Sequence, residues 1–320
     1  MTDASAARGT VDARGTIAVV PEAEPELVAA VERAGGAVAP LDARTRGIVW
    51  SGSSGGAALV KALDRAPGVE WVQLPWAGID PFAEVLPRFR GDGRVWTSGK
   101  GVYAGPVAEH ALTLTLALLR RLPRRVRAGV WRRDHSSRSL HGADVVIVGA
   151  GGIAIELLRL LAPFGVRVSV VRRSAGDLPG AARTVKLDRL AEVATRADVL
   201  IVASALTDET RGAVGAEVLA ALAPGAVVVN VGRGPIIDTA ALVAALDSGH
   251  LGGAGLDVTD PEPLPAGHPL WSSPDCVITP HVADAMATTP ALLAARVEHN
   301  VRAFFGVGEF EGRIDLDAGY

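Results

Sequence analysis

VVIVGAGGIAIELLRLL, residues 145–161, is the stretch of sequence that decides the fold. It begins with four β-branched residues, continues through a glycine-rich turn, and ends in apolar positions with helical spacing. A strand, a glycine turn and a helix in this order are typical of the phosphate-binding turn of a dinucleotide-binding domain. We therefore predict that this turn contacts a dinucleotide cofactor through Gly149, Gly151, Gly152 and Ile153, with Ala154 allowing close packing of the helix.

The segments on both sides of this stretch continue the alternation of strands and helices. Towards the C-terminus, strand patterns recur at RVSVV, DVLIVA, AVVVNV, GAGLDV and VIT. Towards the N-terminus, strand patterns beginning at Thr16, Gly47 and Val69 alternate with helical patterns that start near Glu24 and Ala57. This order predicts an α/β fold with two Rossmann-like or flavodoxin-like, doubly wound parallel-sheet domains.

Two helices mark the predicted domain boundaries. A long apolar helix begins near Gly105-Pro106, with proline suited to its first turn. A helix that begins at Thr289-Pro290 and reaches residues 304–305 is expected to return to the first domain. We therefore predict a discontinuous substrate-binding (catalytic) domain of residues 1–103 plus 286–320 and a dinucleotide-binding domain of residues 104–285. The active site is expected in the cleft between them.

The composition restricts the class of protein. Cys276 is the single cysteine, which excludes an intrachain disulfide and a cysteine-cluster metal site and favours a reducing compartment, the cytoplasm. Mean hydropathy is +0.28, yet every apolar run is interrupted well before the ~18 residues of a membrane span. The net charge of −3 without an extended basic block predicts no nucleic-acid or membrane partner. We expect a small-molecule partner and no metal, and no secretory signal in MTDASAARGT.

The type of cofactor depends on the residues after RVSVV. An acidic residue that would bind the adenosine ribose is absent there, and Arg172, Arg173 and Ser174 follow instead. Two guanidinium groups favour NADP over NAD, because they can bind a 2′-phosphate through charge-assisted hydrogen bonds. The alternative is that both arginines form a solvated turn and NAD binds without a ribose contact. After the later strands, further cofactor contacts are predicted from Ala205, Thr210 and Val231.

Three motifs after consecutive strands bring together residues with catalytic chemistry. They are VVNVGRGPIID with Arg233, LDVTDPEPL with Asp257 and Glu262, and ITPHVADA with His281. The carboxyl ends of the strands place all three motifs on the ligand side of the sheet. With these motifs in this order, the chain resembles the D-isomer-specific 2-hydroxyacid dehydrogenases, including glyoxylate/hydroxypyruvate reductases. The resemblance extends from about Val69 to the C-terminus.

The resemblance implies a role for each of these residues. Arg233 is expected to bind the carboxylate and carbonyl of a 2-oxo acid, and His281 to act as the acid/base. An imidazolium suits this task because the ketone oxygen gains negative charge as hydride arrives. Glu262 would orient the ring and favour its charged form, and Asp257 would hydrogen-bond the nicotinamide carboxamide. The implied activity is hydride transfer between NADP(H) or NAD(H) and C2 of a small 2-oxo or D-2-hydroxy acid.

The resemblance also implies a substrate loop in the first domain, LPWAGID. Its backbone amides would meet the substrate carboxylate, with Trp76, Ala77, Gly78 and Ile79 as the contacting residues. Trp76 either lines the pocket or packs on the hinge, and these alternatives remain open. Tyr103 is a second candidate for the pocket wall.

The sequence also bears on the oligomeric state of the protein and on an alternative to an enzymatic function. The resemblance and the apolar helix after Gly105 favour a homodimer. A nucleotide-sensing regulatory protein, like the corepressors that share this fold and these catalytic residue types, is the alternative to an enzyme. We expect no appended tail or basic patch of the kind that such a role requires, and the enzyme is therefore favoured.

Overall fold

The computed structural model describes residues 15–131, 133–173, 176–284 and 287–319. The described residues of Met1–Val102 and Ala287–Tyr320 form one compact unit, and those of Tyr103–Met286 form a second. Each unit is built on its own parallel β-sheet. The predicted α/β class with two parallel sheets is therefore confirmed.

Four parallel strands form the sheet of the first unit, in their order along the chain. An isolated parallel bridge joins Ile17 to Val38 on the free side of the first strand. The winding therefore reverses at the first strand, as in a doubly wound sheet. The strands are β1 (Thr16–Val20), β2 (Thr45–Trp50), β3 (Trp71–Gln73) and β4 (Val95–Thr97), and the helices that follow β1 and β2 are α1 (Pro25–Arg33) and α2 (Gly56–Arg65).

Seven parallel strands form the sheet of the second unit. They are β5 (Asp144–Val148), β6 (Arg167–Arg172), β7 (Arg183–Lys186), β8 (Val199–Val202), β9 (Ala226–Asn230), β10 (Leu251–Leu256) and β11 (Cys276–Ile278). Their spatial order is β11-β10-β9-β8-β5-β6-β7. The direction of winding therefore reverses between β5 and β8, which is where an open α/β sheet binds its ligand.

Both faces of this second sheet are buried. Val146 and Val148 of β5 belong to one apolar cluster, whereas Val145 and Ile147 belong to another. Because successive side chains of a strand point to opposite faces, two covered faces require the continuous apolar run seen in the sequence. The helices of the unit are α3 (Ala104–Leu119), α4 (Leu122–Val126), α5 (Gly152–Leu161), α6 (Leu190–Ala194), α7 (Ala216–Ala221), α8 (Thr239–Asp247) and α9 (Pro269–Ser272).

The last helix, α10 (Thr289–Phe304), belongs to the first unit. Its residues Val297 and Val301 are fully buried in a cluster with Ile17 of β1 and Val31 of α1. The α10 helix therefore completes the apolar core of the first unit.

Within the described ranges, every helix is too short or too polar to cross a membrane.

A buried polar network joins α10 to the sheet of the first unit. The Asn300 amide nitrogen donates to the Gln73 side-chain oxygen at 2.8 Å and to the Glu311 carbonyl at 2.9 Å. The Asn300 amide oxygen accepts from the Glu311 backbone nitrogen at 2.9 Å. The same Gln73 oxygen accepts from Thr97 at 2.8 Å. One amide side chain therefore ties together α10, β3 and the C-terminal segment.

Asn300→Leu should destabilise the protein by at least about 2 kcal/mol, because each buried polar group left without a partner costs roughly 1–3 kcal/mol. Chemical denaturation measures this change. Arg302→Leu is the matched control on the exposed part of the same helix, where substitutions change stability by about 0.5 kcal/mol or less. Equal effects of the two substitutions would contradict the importance of the network.

Cys276 is a buried member of the apolar core. Burial raises the pKa of its thiol to about 12. Because the thiolate is the reactive form, the folded protein should react with iodoacetamide at pH 8 far more slowly than the protein in denaturant. Mass spectrometry of the alkylated protein measures both rates. Labelling of the native protein at the rate of the denatured protein would show that the thiol is accessible.

Candidate active site

The turn after β5 lies against the end of β8. Gly149 has a φ of 117°, and a Cβ at this position would lie 2.5 Å from the carbonyl oxygen of Ala203. A side chain is therefore excluded both by backbone conformation and by space. This close approach places the glycine turn at the point where the winding of the sheet reverses.

The same turn offers space and hydrogen-bond donors to a phosphate group. The α5 helix begins at Gly152 without a side-chain cap, and a Cβ on Gly151 would meet no atom within 4 Å. Uncapped backbone N–H groups at a helix N-terminus bind anions. The residues present therefore fit the pyrophosphate of a dinucleotide, and all four predicted contacts, Gly149, Gly151, Gly152 and Ile153, lie in this turn.

Ser204 lies two residues after the end of β8 and was missed in the sequence analysis. Its Oγ is buried and has no hydrogen-bond partner among the described residues. A Cβ on Gly149 would lie 2.9 Å from the Ser204 backbone nitrogen, which places this residue beside the glycine turn. Buried hydroxyl groups almost always have a partner, so Ser204 is a further candidate contact for the cofactor. The signal in the sequence was a serine directly after the apolar run VLIVA.

The other predicted contacts after β8 and β9 have structural roles. Thr210 Oγ1 accepts a hydrogen bond from the Thr207 backbone nitrogen at 2.8 Å and donates one to the Ala205 carbonyl at 2.9 Å. These bonds close the loop that carries the exposed Ala205. The Val231 side chain is buried in the apolar core. Contact of Ala205, Thr210 and Val231 with a cofactor stays a prediction.

Two basic side chains occupy neighbouring strand ends at the cofactor-type position. Arg172 ends β6 and pairs in register with Lys186, which ends β7. Residues paired in register in a parallel sheet point to the same face, so two cationic groups lie side by side. None of the ion pairs among the described residues engages Arg172 or Lys186. Arg173 follows in an exposed position, and the predicted contact Ser174 lies outside the described residues.

The turn that carries Arg233 is held by a buried asparagine. Asn230 at the end of β9 accepts a hydrogen bond from the Gly232 backbone nitrogen at 3.0 Å and donates to the Arg233 carbonyl at 3.0 Å. A Cβ on Gly234 would lie 1.8 Å from the Thr259 carbonyl oxygen, so only glycine fits there. The Arg233 turn therefore packs directly against the turn after β10.

The structure brings His281 and Glu262 into direct contact. His281 Nδ1 lies 2.7 Å from Glu262 Oε1. The second carboxylate oxygen accepts from the Thr259 backbone nitrogen at 3.4 Å. The side chains of His281 and Glu262 are 49% and 41% exposed, so both can be reached by a small molecule. With Nδ1 bound to the carboxylate, Nε2 is the nitrogen that remains for a reacting group.

Asp257 follows β10 and is almost completely buried. Its carboxylate accepts hydrogen bonds from the turn that carries His281: from Thr279 Oγ1 at 2.6 Å and from the backbone nitrogens of Val282 and Ala283 at 3.0 and 3.1 Å. The structure therefore shows that Asp257 organises the histidine turn. Its predicted bond to a nicotinamide carboxamide stays a prediction.

The predicted substrate loop lies in the first unit. The Trp76 indole nitrogen donates to the Ser53 carbonyl at 3.0 Å, which anchors the ring to the loop after β2. Ala77 is exposed, whereas Ile79 is buried in the core of the unit. Contact of Trp76, Ala77, Gly78 and Ile79 with a substrate stays a prediction. The same holds for Tyr103, which directly precedes α3 in the second unit.

Comparisons of the sequence with known proteins match this chain to one family. Residues 112–283 match the family model described as D-isomer specific 2-hydroxyacid dehydrogenase, NAD binding domain. A hydroxyphenylpyruvate reductase of Plectranthus scutellarioides is 34% identical, over 79% of this chain and 81% of the relative. A glyoxylate/hydroxypyruvate reductase B of Yersinia pestis is 31% identical, over 90% of this chain and 86% of the relative.

A solved structure agrees with this assignment. The D-isomer specific 2-hydroxyacid dehydrogenase of Xanthobacter autotrophicus Py2, in complex with NADPH and MES, is similar with a TM-score of 0.79 and 28% identity. The similarity covers 96% of this chain and 99% of that one. The chain belongs to the D-isomer-specific 2-hydroxyacid dehydrogenase family, and it is an NAD(P)-dependent oxidoreductase of 2-hydroxy acids.

Proposed function

We propose that this protein reduces a small 2-oxo acid to the D-2-hydroxy acid, with NADPH preferred over NADH and His281 as the proton donor. The observation that carries the proposal is the 2.7 Å contact between His281 Nδ1 and Glu262 Oε1 on two turns at the same edge of the sheet. The glyoxylate/hydroxypyruvate and hydroxyphenylpyruvate reductases among the relatives support a 2-oxo acid as substrate.

Each of the three catalytic residues has one task in this reaction. A bound reduced nicotinamide supplies the hydride for C2 of the 2-oxo acid. Arg233 binds the substrate carboxylate and polarises the ketone, so that the negative charge that develops on the ketone oxygen is stabilised. His281 Nε2 gives its proton to this oxygen and completes the hydroxyl group. Glu262 accepts a hydrogen bond from Nδ1–H and holds the ring in the orientation that this transfer needs.

His281→Ala should lower kcat about 10²–10⁴-fold, which is the usual contribution of a general acid. The dissociation constant for NADPH should change little, because the ring contacts the reacting ketone rather than the nucleotide. Oxidation of NADPH at 340 nm with a panel of 2-oxo acids measures kcat, and fluorescence titration measures cofactor binding. His135→Ala, which replaces an exposed histidine, is the control. Full activity of His281→Ala would refute the assigned role, and nucleotide binding without turnover of any acid would favour a sensing protein.

The preference for NADP rests on the charges at the ends of β6 and β7. Arg172 and Lys186 face each other in register without a carboxylate partner among the described residues. A 2′-phosphate placed there would relieve the repulsion between them and form charge-assisted hydrogen bonds. The NADPH that is bound to the Xanthobacter relative supports the same choice.

Arg172→Asp should weaken NADPH binding roughly tenfold to a hundredfold, since one hydrogen bond to a charged group contributes about 1.5–3 kcal/mol. Affinity for NADH should change by less, because NADH lacks the 2′-phosphate. Titration of both nucleotides measures the ratio of the two dissociation constants. Arg167→Asp, at the opposite end of β6, makes the same change of net charge and should leave this ratio unaltered. A constant ratio in Arg172→Asp would exclude the proposed phosphate contact.

We further propose that the chain acts as a homodimer in the cytoplasm. The segment after α3 presents a row of apolar side chains to solvent, of which Trp131 is 96% exposed. Val126 and Val130 are exposed beside it in the sequence. Exposed apolar groups in such a row are typical of a surface that another chain covers, and a second copy is the partner that the family resemblance favours. A lone, buried cysteine is consistent with a reducing compartment.

A further inference from the structure

The turn that carries His281 has an unusual backbone. His281 has a φ of 54°, which is the left-handed conformation that residues with a side chain rarely adopt. Two backbone bonds stabilise it: the His281 nitrogen donates to the Asp257 carbonyl at 2.8 Å and to the Thr279 carbonyl at 3.0 Å. A strained conformation at a functional residue persists only when surrounding contacts enforce it.

The Asp257 carboxylate provides these contacts on both sides of His281. On one side it accepts the hydroxyl proton of Thr279, and on the other side it accepts the backbone N–H groups of Val282 and Ala283. The turn therefore wraps around a buried anion, and any rotation of the carboxylate would move the histidine between these contacts.

His110 is the group that holds the Thr279 hydroxyl from the other side. It lies on α3, and its Nε2 is 2.9 Å from Thr279 Oγ1 and 3.6 Å from Asp257 Oδ1. A hydroxyl group has one proton, and Thr279 donates it to Asp257. The hydroxyl oxygen must therefore accept from His110, which requires that Nε2 of His110 carries a proton.

We propose that His110 is a positioning residue for the proton-transfer step. Through Thr279 and the Asp257 carboxylate, it fixes the left-handed turn that presents His281. This inference rests on the proposed role of His281 as the acid/base, because a positioned histidine matters only if the ring transfers a proton. His110 was not singled out by the sequence, although it lies in the apolar helix that begins after Tyr103.

Two pairs of variants test the proposal through loss and rescue. His110→Leu and Thr279→Val remove a hydrogen-bonding group, whereas His110→Gln and Thr279→Ser keep one. His110→Leu and Thr279→Val should each lower kcat roughly tenfold to a hundredfold, the effect expected of a small misplacement of a reacting group. The KM for the 2-oxo acid and the dissociation constant for NADPH should change less than about threefold, since neither side chain binds ligand.

Rescue and coupling separate positioning from a general loss of stability. His110→Gln and Thr279→Ser should recover most of kcat, and the double variant His110→Leu/Thr279→Val should be no slower than the more impaired single variant, because both act through one chain of hydrogen bonds. Additive losses, or no recovery by the conservative variants, would overturn the proposal.

The protonation of His110 is a direct test on the unmodified protein. Nitrogen NMR of the chain labelled with ¹⁵N-histidine should show a proton on Nε2 of His110, with the signal assigned by its absence in His110→Gln. An Nε2 without a proton would overturn the proposed direction of hydrogen bonding, whatever the turnover rates of the variants. This measurement does not depend on activity. Normal turnover by His281→Ala would instead refute the proposed function and leave the NMR result intact.

Discussion

No Cβ atom fits at Gly149, Gly232 or Gly234, because the strand ends of the second unit bring one backbone directly against another at these positions. The turn after β5 meets the end of β8, the turn after β9 meets Ser204, and Gly234 meets Thr259 after β10. These contacts hold the glycine turn, Arg233 and Glu262 in a fixed order along one edge of the sheet. The proposed chemistry depends on this close packing, since a displaced turn would carry Arg233 or Glu262 with it.

The site uses two carboxylates in two environments. Glu262 is 41% exposed and contacts the His281 ring, which suits a group that orients an imidazole while a substrate enters and leaves. Asp257 is buried and is surrounded by donors from the histidine turn. A buried carboxylate that is fully hydrogen-bonded is rigid, and a rigid anion is what a strained turn requires. The two side chains lie close in the sequence but have separate functions, one on the ring of His281 and the other on its backbone.

Most strands could be predicted because two covered faces require continuous apolar runs, as in β5 and β8. The strands β4 and β7 were not predicted. β4 (VWT) and β7 (RTVK) are each the outermost strand of their sheet, so neither has the strong apolar run of a strand with neighbours on both sides. A short or polar strand pairs because its neighbour supplies the hydrogen bonds, and a local pattern does not contain that information. The omission matters for function, since β7 ends in Lys186 opposite Arg172.

The sequence by itself determined the fold class, the glycine turn and the family, because these depend on residue types at short, fixed spacings. It also identified Arg233, Glu262 and His281 as the groups suited to reduction of a 2-oxo acid, although their roles remain proposals. Only the tertiary structure decided that Asp257 binds the histidine turn, that Ser204 Oγ lacks a partner, and that His110 meets Thr279. His110 and Thr279 are 169 positions apart, and a contact over that separation arises from the packing of α3 beside the sheet rather than from any local pattern.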